Sequence, residues 1–338
     1  MHGLARLMEQ QFLLVEQLIA IAIEGMASSA TITLLTNDKA TAATARGVLR
    51  DLAALPAFNG MARSFDTAER AMCLDAVLRV KSGNTYSKEM EGELLDFIPS
   101  LSSTNPTSGK GLTEGMKSVA RQVTDWDTVY SKINEVFDRC VTVARMPHGV
   151  ARRNAIDQIE TELNDKAGNK SVDGVLNQLR SFSRLTPEKR SSVFASAMIL
   201  LLTPSTKNAL AAQDRANTTL DMTRIAAALA AYRAERGRYP DKLEDLVPGM
   251  LPKLPADSFN AKPLVYRRDG EGYFLYSLGT NGIDDGGIGP AVLGHEIYEG
   301  MSEAERQAHE AKTRAGADDL SLRLPLPAFD WGKLLSPK

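Results

Sequence analysis

The chain is poor in cysteine, histidine and aromatic residues, and it carries no surplus of charge of either sign. Only two cysteines, Cys73 and Cys140, stand among 338 residues. Neither belongs to a CxxC pair and neither has a histidine close in sequence, which argues against a metal site at the thiols. They read as two small buried hydrophobes; one disulfide in an oxidising compartment stays open. Lys plus Arg number 40 against 42 for Asp plus Glu, so the whole-chain charge makes no case for nucleic acid or an anionic membrane. The four histidines are His2, His148, His295 and His309. His295-Glu296 lacks the second histidine of a zinc-protease helix, and there is neither a Gly-x-Ser-x-Gly elbow nor a Walker loop. The glycine-rich stretch 282–289 runs from a strand into acidic residues, the wrong context for cradling phosphate. The longest apolar run, Val193 to Thr203, is about half of the roughly 20 residues that a bilayer core requires, and no secretory signal is visible at Met1. These absences predict a chain with no transmembrane segment.

What is present is helix. Aromatics are 6% of the chain and apolar residues 43%, many of them Ala and Leu, in a composition ordinary for a soluble protein. Apolar spacing of three and four predicts helices near 3–35, 38–54, 66–81, 87–98, 114–145, 150–165, 171–182 and 187–202. Start signals agree in places: Asp66-Thr67 precede Glu69, and Thr186-Pro187-Glu188 puts proline at a first helical position behind a threonine cap. Pro56, Pro99 and Pro147 mark stops. Residues 99–113, rich in Ser, Thr, Asn, Pro and Gly, read as a loop or linker. Trp126, Val129, Ile133, Val136, Phe137 and Val141 form a core stripe, with Trp126 as a packing anchor. The chain opens inside a helical repeat (Leu4, Leu7, Met8, Leu14, Val15, Leu18, Ala22), which predicts an upstream piece. Length and pattern divide the chain into a helical domain, 1–205, and a smaller α+β domain, 206–330.

The C-terminal third carries the most informative order of parts. Thr218, Met222, Ile225, Leu229 and Tyr232 lie on one helix face and require a sheet to cover. Gly237 stands where a helix C-cap is needed, and Leu243 and Leu246 face inward after Asp241. Leu264-Val265-Tyr266-Arg267 and Tyr273 to Ser277 read as two strands joined by Asp269-Gly270-Glu271-Gly272, with Phe274, Tyr276 and Leu278 on one face. Then comes an acidic loop, Ser277-Leu278-Gly279-Thr280-Asn281-Gly282-Ile283-Asp284-Asp285-Gly286-Gly287. Residues 288–317 form an insertion, helical around Ser302 to Arg314, before Asp318-Asp319-Leu320. Carboxylates crowded in this way repel one another unless a cation or solvent intervenes. Calcium takes six to eight oxygens from carboxylates, amides and carbonyls, and glycines let carbonyls turn inward. The spacing is not that of an EF-hand, because Ile283 sits where a ligand is required. A solvated acidic loop with an Asn-Gly turn is the plainer alternative.

This order of parts resembles the globular domain of the major pseudopilin of type II secretion systems, over residues 214–287 and 318–325. The resemblance implies a helix on an antiparallel hairpin, with Asp257-Ser258-Phe259-Asn260 in place of the family's Asp-Pro-Trp-Gly-type turn and Phe259 replacing its aromatic. It also implies calcium as cofactor, held by Asn281, Asp284, Asp285, Asp318 and Asp319. Joined to a large helical domain, the layout is similar to that of envelope proteins of planctomycete-type bacteria. That implies a non-catalytic, envelope-associated or periplasmic scaffold whose partners are other proteins, possible secretion or envelope components among them, and not nucleic acid. The residues themselves leave a cytoplasmic location open.

Two other readings remain from the residues. Phe12-Leu13-Leu14-Val15-Glu16 ahead of an apolar helix looks like the start of a processed prepilin, the mark of a minor pseudopilin. Gln11 replaces the glycine of the peptidase site, however, and Glu24 interrupts the apolar run. The other is a metal-dependent hydrolase using Asp284, Asp285, Asp318 and Asp319, for which no general base is evident.

Overall fold

The computed structural model describes residues 1–36, 40–82, 122–166, 184–202, 206–289, 291–292 and 302–324. The expected helices 87–98 and 171–182 and the expected linker 99–113 lie outside them. The described part is α+β and largely helical. Among the described residues, nine α-helices precede the sheet: α1 (His2–Met8), α2 (Leu14–Thr36), α3 (Ala42–Ala53), α4 (Met61–Ser64), α5 (Arg70–Ser82), α6 (Trp126–Ala144), α7 (Val150–Lys166), α8 (Pro187–Leu202) and α9 (Thr206–Arg236). A π-helical turn, Phe65–Glu69, joins α4 to α5.

The single helix expected over 3–35 is two helices. Periodicity runs through the break, but side chains from elsewhere hold it open. The Glu9 Oε1 accepts the backbone N–H of Asn59 (2.7 Å) and Gly60 (3.0 Å). The Gln17 amide donates to the carbonyls of Glu9 (2.9 Å) and Gln11 (2.8 Å). A Cβ at Gly60 would stand 2.0 Å from Gln17 Oε1, so a side chain there would have to displace the Gln17 amide. Helix α1 then folds back along α2. There the fully buried Glu24 accepts from Arg6 Nη1 (3.2 Å) and Ser28 Oγ (3.3 Å) and pairs with His2 Nδ1 (2.8 Å).

That pairing amends the expectation that no segment reaches bilayer length. Glu24 interrupts the apolar run in sequence, but its charge is matched in the fold. Helix α2 has 23 residues and a window of mean hydropathy 1.8, long and apolar enough by length and composition to cross a membrane. A core helix passes the same test. One third of that window is buried, and Ile32 and Leu35 belong to the main core. Phe12, Val15, Leu18 and Ile19 on the same segment are exposed.

Helix α9 is the axis of the molecule. Its 31 residues are buried on several sides, with Thr218, Met222, Ile225, Leu229 and Tyr232 all covered as their spacing requires. Ala226, Ala227, Ala228 and Ala231 are buried too, their small side chains letting neighbouring backbones come close. One side meets α2 and α3, another the sheet. A single core therefore joins Leu49 and Leu52 of α3 to Leu229, Leu275 and Leu322. Gly237 ends the helix at φ 76°, its N–H bonded to the Arg233 carbonyl at 2.7 Å.

The sheet has four strands in the order β1-β2-β4-β3: β1 Val265–Asp269, β2 Gly272–Ser277, β3 Ala291–Val292 and β4 Leu320–Leu324. The pairs β1–β2 and β2–β4 are antiparallel and β3–β4 is parallel. Asp269 pairs with Gly272, so the hairpin turn is the two residues Gly270-Glu271, shorter than the four expected. Tyr273 and Leu275 face the core under α9, while Phe274 and Tyr276 pack on the other face, ring centroids 5.1 Å apart. Strand β4 was not expected from sequence. The insertion does carry its helix, α10 (Glu303–Arg314), closed by a capping box between Ser302 and Glu305.

A second core holds Val129, Ile133 and Phe137 of α6 against Phe194 and Met198 of α8, with Trp126 edge-on to Phe194 at 5.5 Å. Both cysteines are buried and unpaired, and burial pushes the Cys73 thiol up to about 12 and that of Cys140 to about 11. They are inert hydrophobes at neutral pH.

Candidate metal centre

The acidic loop after β2 is shaped by carboxylates that accept backbone N–H groups. Asp257, only 1% exposed, anchors its start. One oxygen accepts the Phe259 N–H at 2.9 Å in an Asx turn. The other accepts Ser277 Oγ–H (2.8 Å) and the Leu278 N–H (3.1 Å). Phe259 is fully buried beside it. The loop then folds back over the outer face of β2. A Cβ at Gly287 (φ 79°) would sit 2.1 Å from the Phe274 ring, and one at Gly279 (φ 61°) 2.2 Å from the Asp318 carbonyl. Only glycine allows either contact.

The two residues just ahead of β4, Asp318 and Asp319, supply the other wall. Asp318 Oδ2 accepts the Thr280 N–H (2.8 Å) and the Thr280 hydroxyl, and the Asn281 N–H reaches the same carboxylate at 3.3 Å. Asp319 Oδ2 accepts the N–H groups of Gly287 (2.8 Å) and Asp285 (3.1 Å). Between these walls, carboxylate oxygens of Asp285, Asp318 and Asp319 all lie within 4.8 Å of one another. Two oxygens bound to one calcium at about 2.3–2.6 Å stand at most about 5 Å apart, so this spacing suits a single ion.

The second oxygen of Asp319 decides the fit. Asp319 is fully buried, and its Oδ1 has no hydrogen-bond partner among the described residues. A buried carboxylate oxygen without a partner carries the full cost of desolvation. Burial is also the main reason the Asp319 carboxyl is pushed up to about 6; the charges of Asp285 and Asp284 push the same way, against the N–H bonds from Gly287 and Asp285. A hard cation beside Oδ1 would remove both penalties at once. The donor set is all oxygen, as calcium requires.

The other two expected ligands, Asn281 and Asp284, each have an oxygen engaged within the loop. Asn281 spends its Oδ1 on the Ile283 N–H (2.7 Å), while its amide donates to Asp285 Oδ2 (3.0 Å) and the Gly316 carbonyl (2.9 Å). Asp284 Oδ1 accepts the Tyr276 hydroxyl (3.1 Å) and the Gly286 N–H (2.9 Å). Both shape the loop around Asp285, Asp318 and Asp319. Asp257 was not among the expected site residues, although Asp-Ser-Phe-Asn is itself an Asx-turn signal.

The helical layer reaches the centre through α7. Arg153 Nη1 donates to the Thr280 carbonyl (3.1 Å), and its guanidinium lies 5.9 Å from the Phe259 ring centroid. One turn of chain away, Arg152 and His148 both pair with the buried Asp214 of α9. Comparison with protein-family models, with curated proteins and with solved structures gives no match to this chain.

Proposed function

We propose that this chain is a non-catalytic, envelope-associated scaffold or interaction protein whose C-terminal α+β domain resembles a major pseudopilin and is stiffened by calcium. Two observations support the proposal: carboxylate oxygens of Asp285, Asp318 and Asp319 lie within 4.8 Å of one another, and Asp319 Oδ1 is buried with no hydrogen-bond partner among the described residues. Asp285, Asp318 and Asp319 would hold the ion. It would offset their mutual repulsion and pin a loop that covers the outer face of β2. The helical layer, locked to the same domain through α9, would present the surface that protein partners meet.

The test is amide hydrogen exchange with the metal stripped and with calcium restored. The expected result is protection of residues 278–289 and 318–320 in calcium, with the amides of α6 and α8 unchanged. Equal exchange of the loop in both states would remove the stiffening role.

Helix α2 favours a second reading, a minor-pseudopilin-type component of a secretion-like assembly. Its length, its hydropathy and the exposed Phe12, Val15, Leu18 and Ile19 suit insertion or packing against like helices. Recovery of the full-length gene product in the membrane fraction after a salt wash would support it. The hydrolase reading has no observation in its favour beyond the carboxylates themselves.

A further inference from the structure

A cleft of 240 Å³ opens where the first turns of α7 and α9 meet the acidic loop, lined by Arg152, Arg153 and Asp157, by Lys207 and Asp214, and by Thr280. Its two carboxylates are already matched. Asp214 pairs with Arg152 and His148, and Asp157 pairs with Lys207 at 2.6 Å. Arg153 is different. Its described contacts are the Thr280 carbonyl and the face of Phe259, neither of which bears a charge. The cleft thus holds one positive charge in excess.

A second observation is independent of that count. Arg152 is 1% exposed, and its Nε has no hydrogen-bond acceptor among the described residues. A buried donor left unsatisfied is costly, and an oxyanion entering the cleft would supply the acceptor. Guanidinium forks match planar or tetrahedral oxyanions through paired N–H bonds, in a way that halide does not exploit. The volume falls below the roughly 300–1,000 Å³ of sites for drug-sized ligands, so the occupant is small.

We propose that this cleft is a binding site for a small oxyanion, a phosphate or a short carboxylate, held by Arg153 and by the Nε–H of Arg152. The site sits at the joint between the helical layer and the loop; Thr280 and Asn281 line it and bond Asp318 and Asp285, but the carboxylates proposed to hold calcium do not themselves line it. Its test therefore uses the full chain stripped of metal on chelating resin, so that it stands or falls without the calcium reading.

Isothermal titration with inorganic phosphate and with malonate, at fixed ionic strength and with chloride as reference, reads the site directly. The expected result is saturable one-to-one binding of at least one of the two. Phosphate alone points to a phosphoryl source, malonate alone to a carboxylate. Arg153→Gln should weaken that binding by about tenfold or more, the loss of one charge-assisted pair. Asp157→Asn should tighten it, because the Lys207 charge is then unmatched, and a damaged fold would not produce a gain. The proposal is overturned if neither anion binds more tightly than chloride, or if both variants bind as the parent does.

Discussion

Replacing Asp214 by alanine should lower the free energy of unfolding by about 3–5 kcal/mol, the usual cost of stranding one member of a buried ion pair. Asp214 and Arg152 are each 1% exposed. Arg152 Nη2 and His148 Nδ1 both bond Asp214 Oδ1, and among the described residues the only other acceptor for the Arg152 guanidinium is the Ala144 carbonyl at 3.5 Å. Without the carboxylate, a full positive charge stays in the interior with one weak partner. The pair also fixes how the chain after α6 docks on α9, so its loss should loosen α7 along with α9. Removing both charges has a different expected outcome. In Arg152→Met/Asp214→Leu the desolvation cost disappears with the charges, and most of the lost stability should return. Urea unfolding of the parent, the single variant and the double variant at pH 7 measures both effects. A single-variant loss under about 1 kcal/mol would mean that water reaches the guanidinium.

The second large effect concerns Asp319 and reverses its sign with calcium. Asn at this position keeps an oxygen for the N–H groups of Asp285 and Gly287 but removes a buried negative charge beside Asp284 and Asp285. In metal-free buffer at pH 7, Asp319→Asn should be as stable as the parent or more so. In calcium at a hundredfold excess over its Kd, the parent should gain about 2.7 kcal/mol and the variant almost nothing. An ordinary packing defect would lower stability in both buffers.

The pH dependence follows from the same residue. Its carboxyl is raised in the fold to about 6, from about 3.9 in an unfolded chain. Without metal, its contribution to stability is therefore fully present below about pH 4 and lost as pH rises through about 6. Calcium needs the carboxylate, so calcium binding should strengthen over the same interval and weaken below it. Melting curves at pH 5 and pH 7, with and without calcium, test both signs.

Much of the C-terminal fold could be read from the residues because its signals are local. The stripe from Thr218 to Tyr232, the Gly237 cap, the alternating β2 and the helical stretch from Ser302 to Arg314 each involve residues a few positions apart. What escaped depends on partners distant in the chain. The break after α1 is held by Glu9 reaching Asn59 and Gly60, about fifty residues on. Strand β4 is five residues long and takes its register from β2 across an insertion. The pairing of Asp214 with Arg152 spans 62 positions.

The metal centre lies between these cases. Acidic and glycine residues mark the loop, but a loop has no period to say which side chains converge. Asn281 and Asp284 therefore looked as suitable as Asp285. Backbone N–H groups engage Asn281 Oδ1 and Asp284 Oδ1, but they engage Asp318 as well. What sets Asp285, Asp318 and Asp319 apart is the convergence of their oxygens within 4.8 Å and, among the described residues, the lack of a partner at Asp319 Oδ1.

Calorimetric titration of the metal-stripped full chain with calcium at pH 7 addresses the central claim most directly. One ion per chain, with saturation lost in Asp319→Asn and in Asp285→Asn but retained in Asp284→Asn, is the result expected here. No saturable heat up to millimolar calcium, or equal binding by Asp319→Asn, would contradict it.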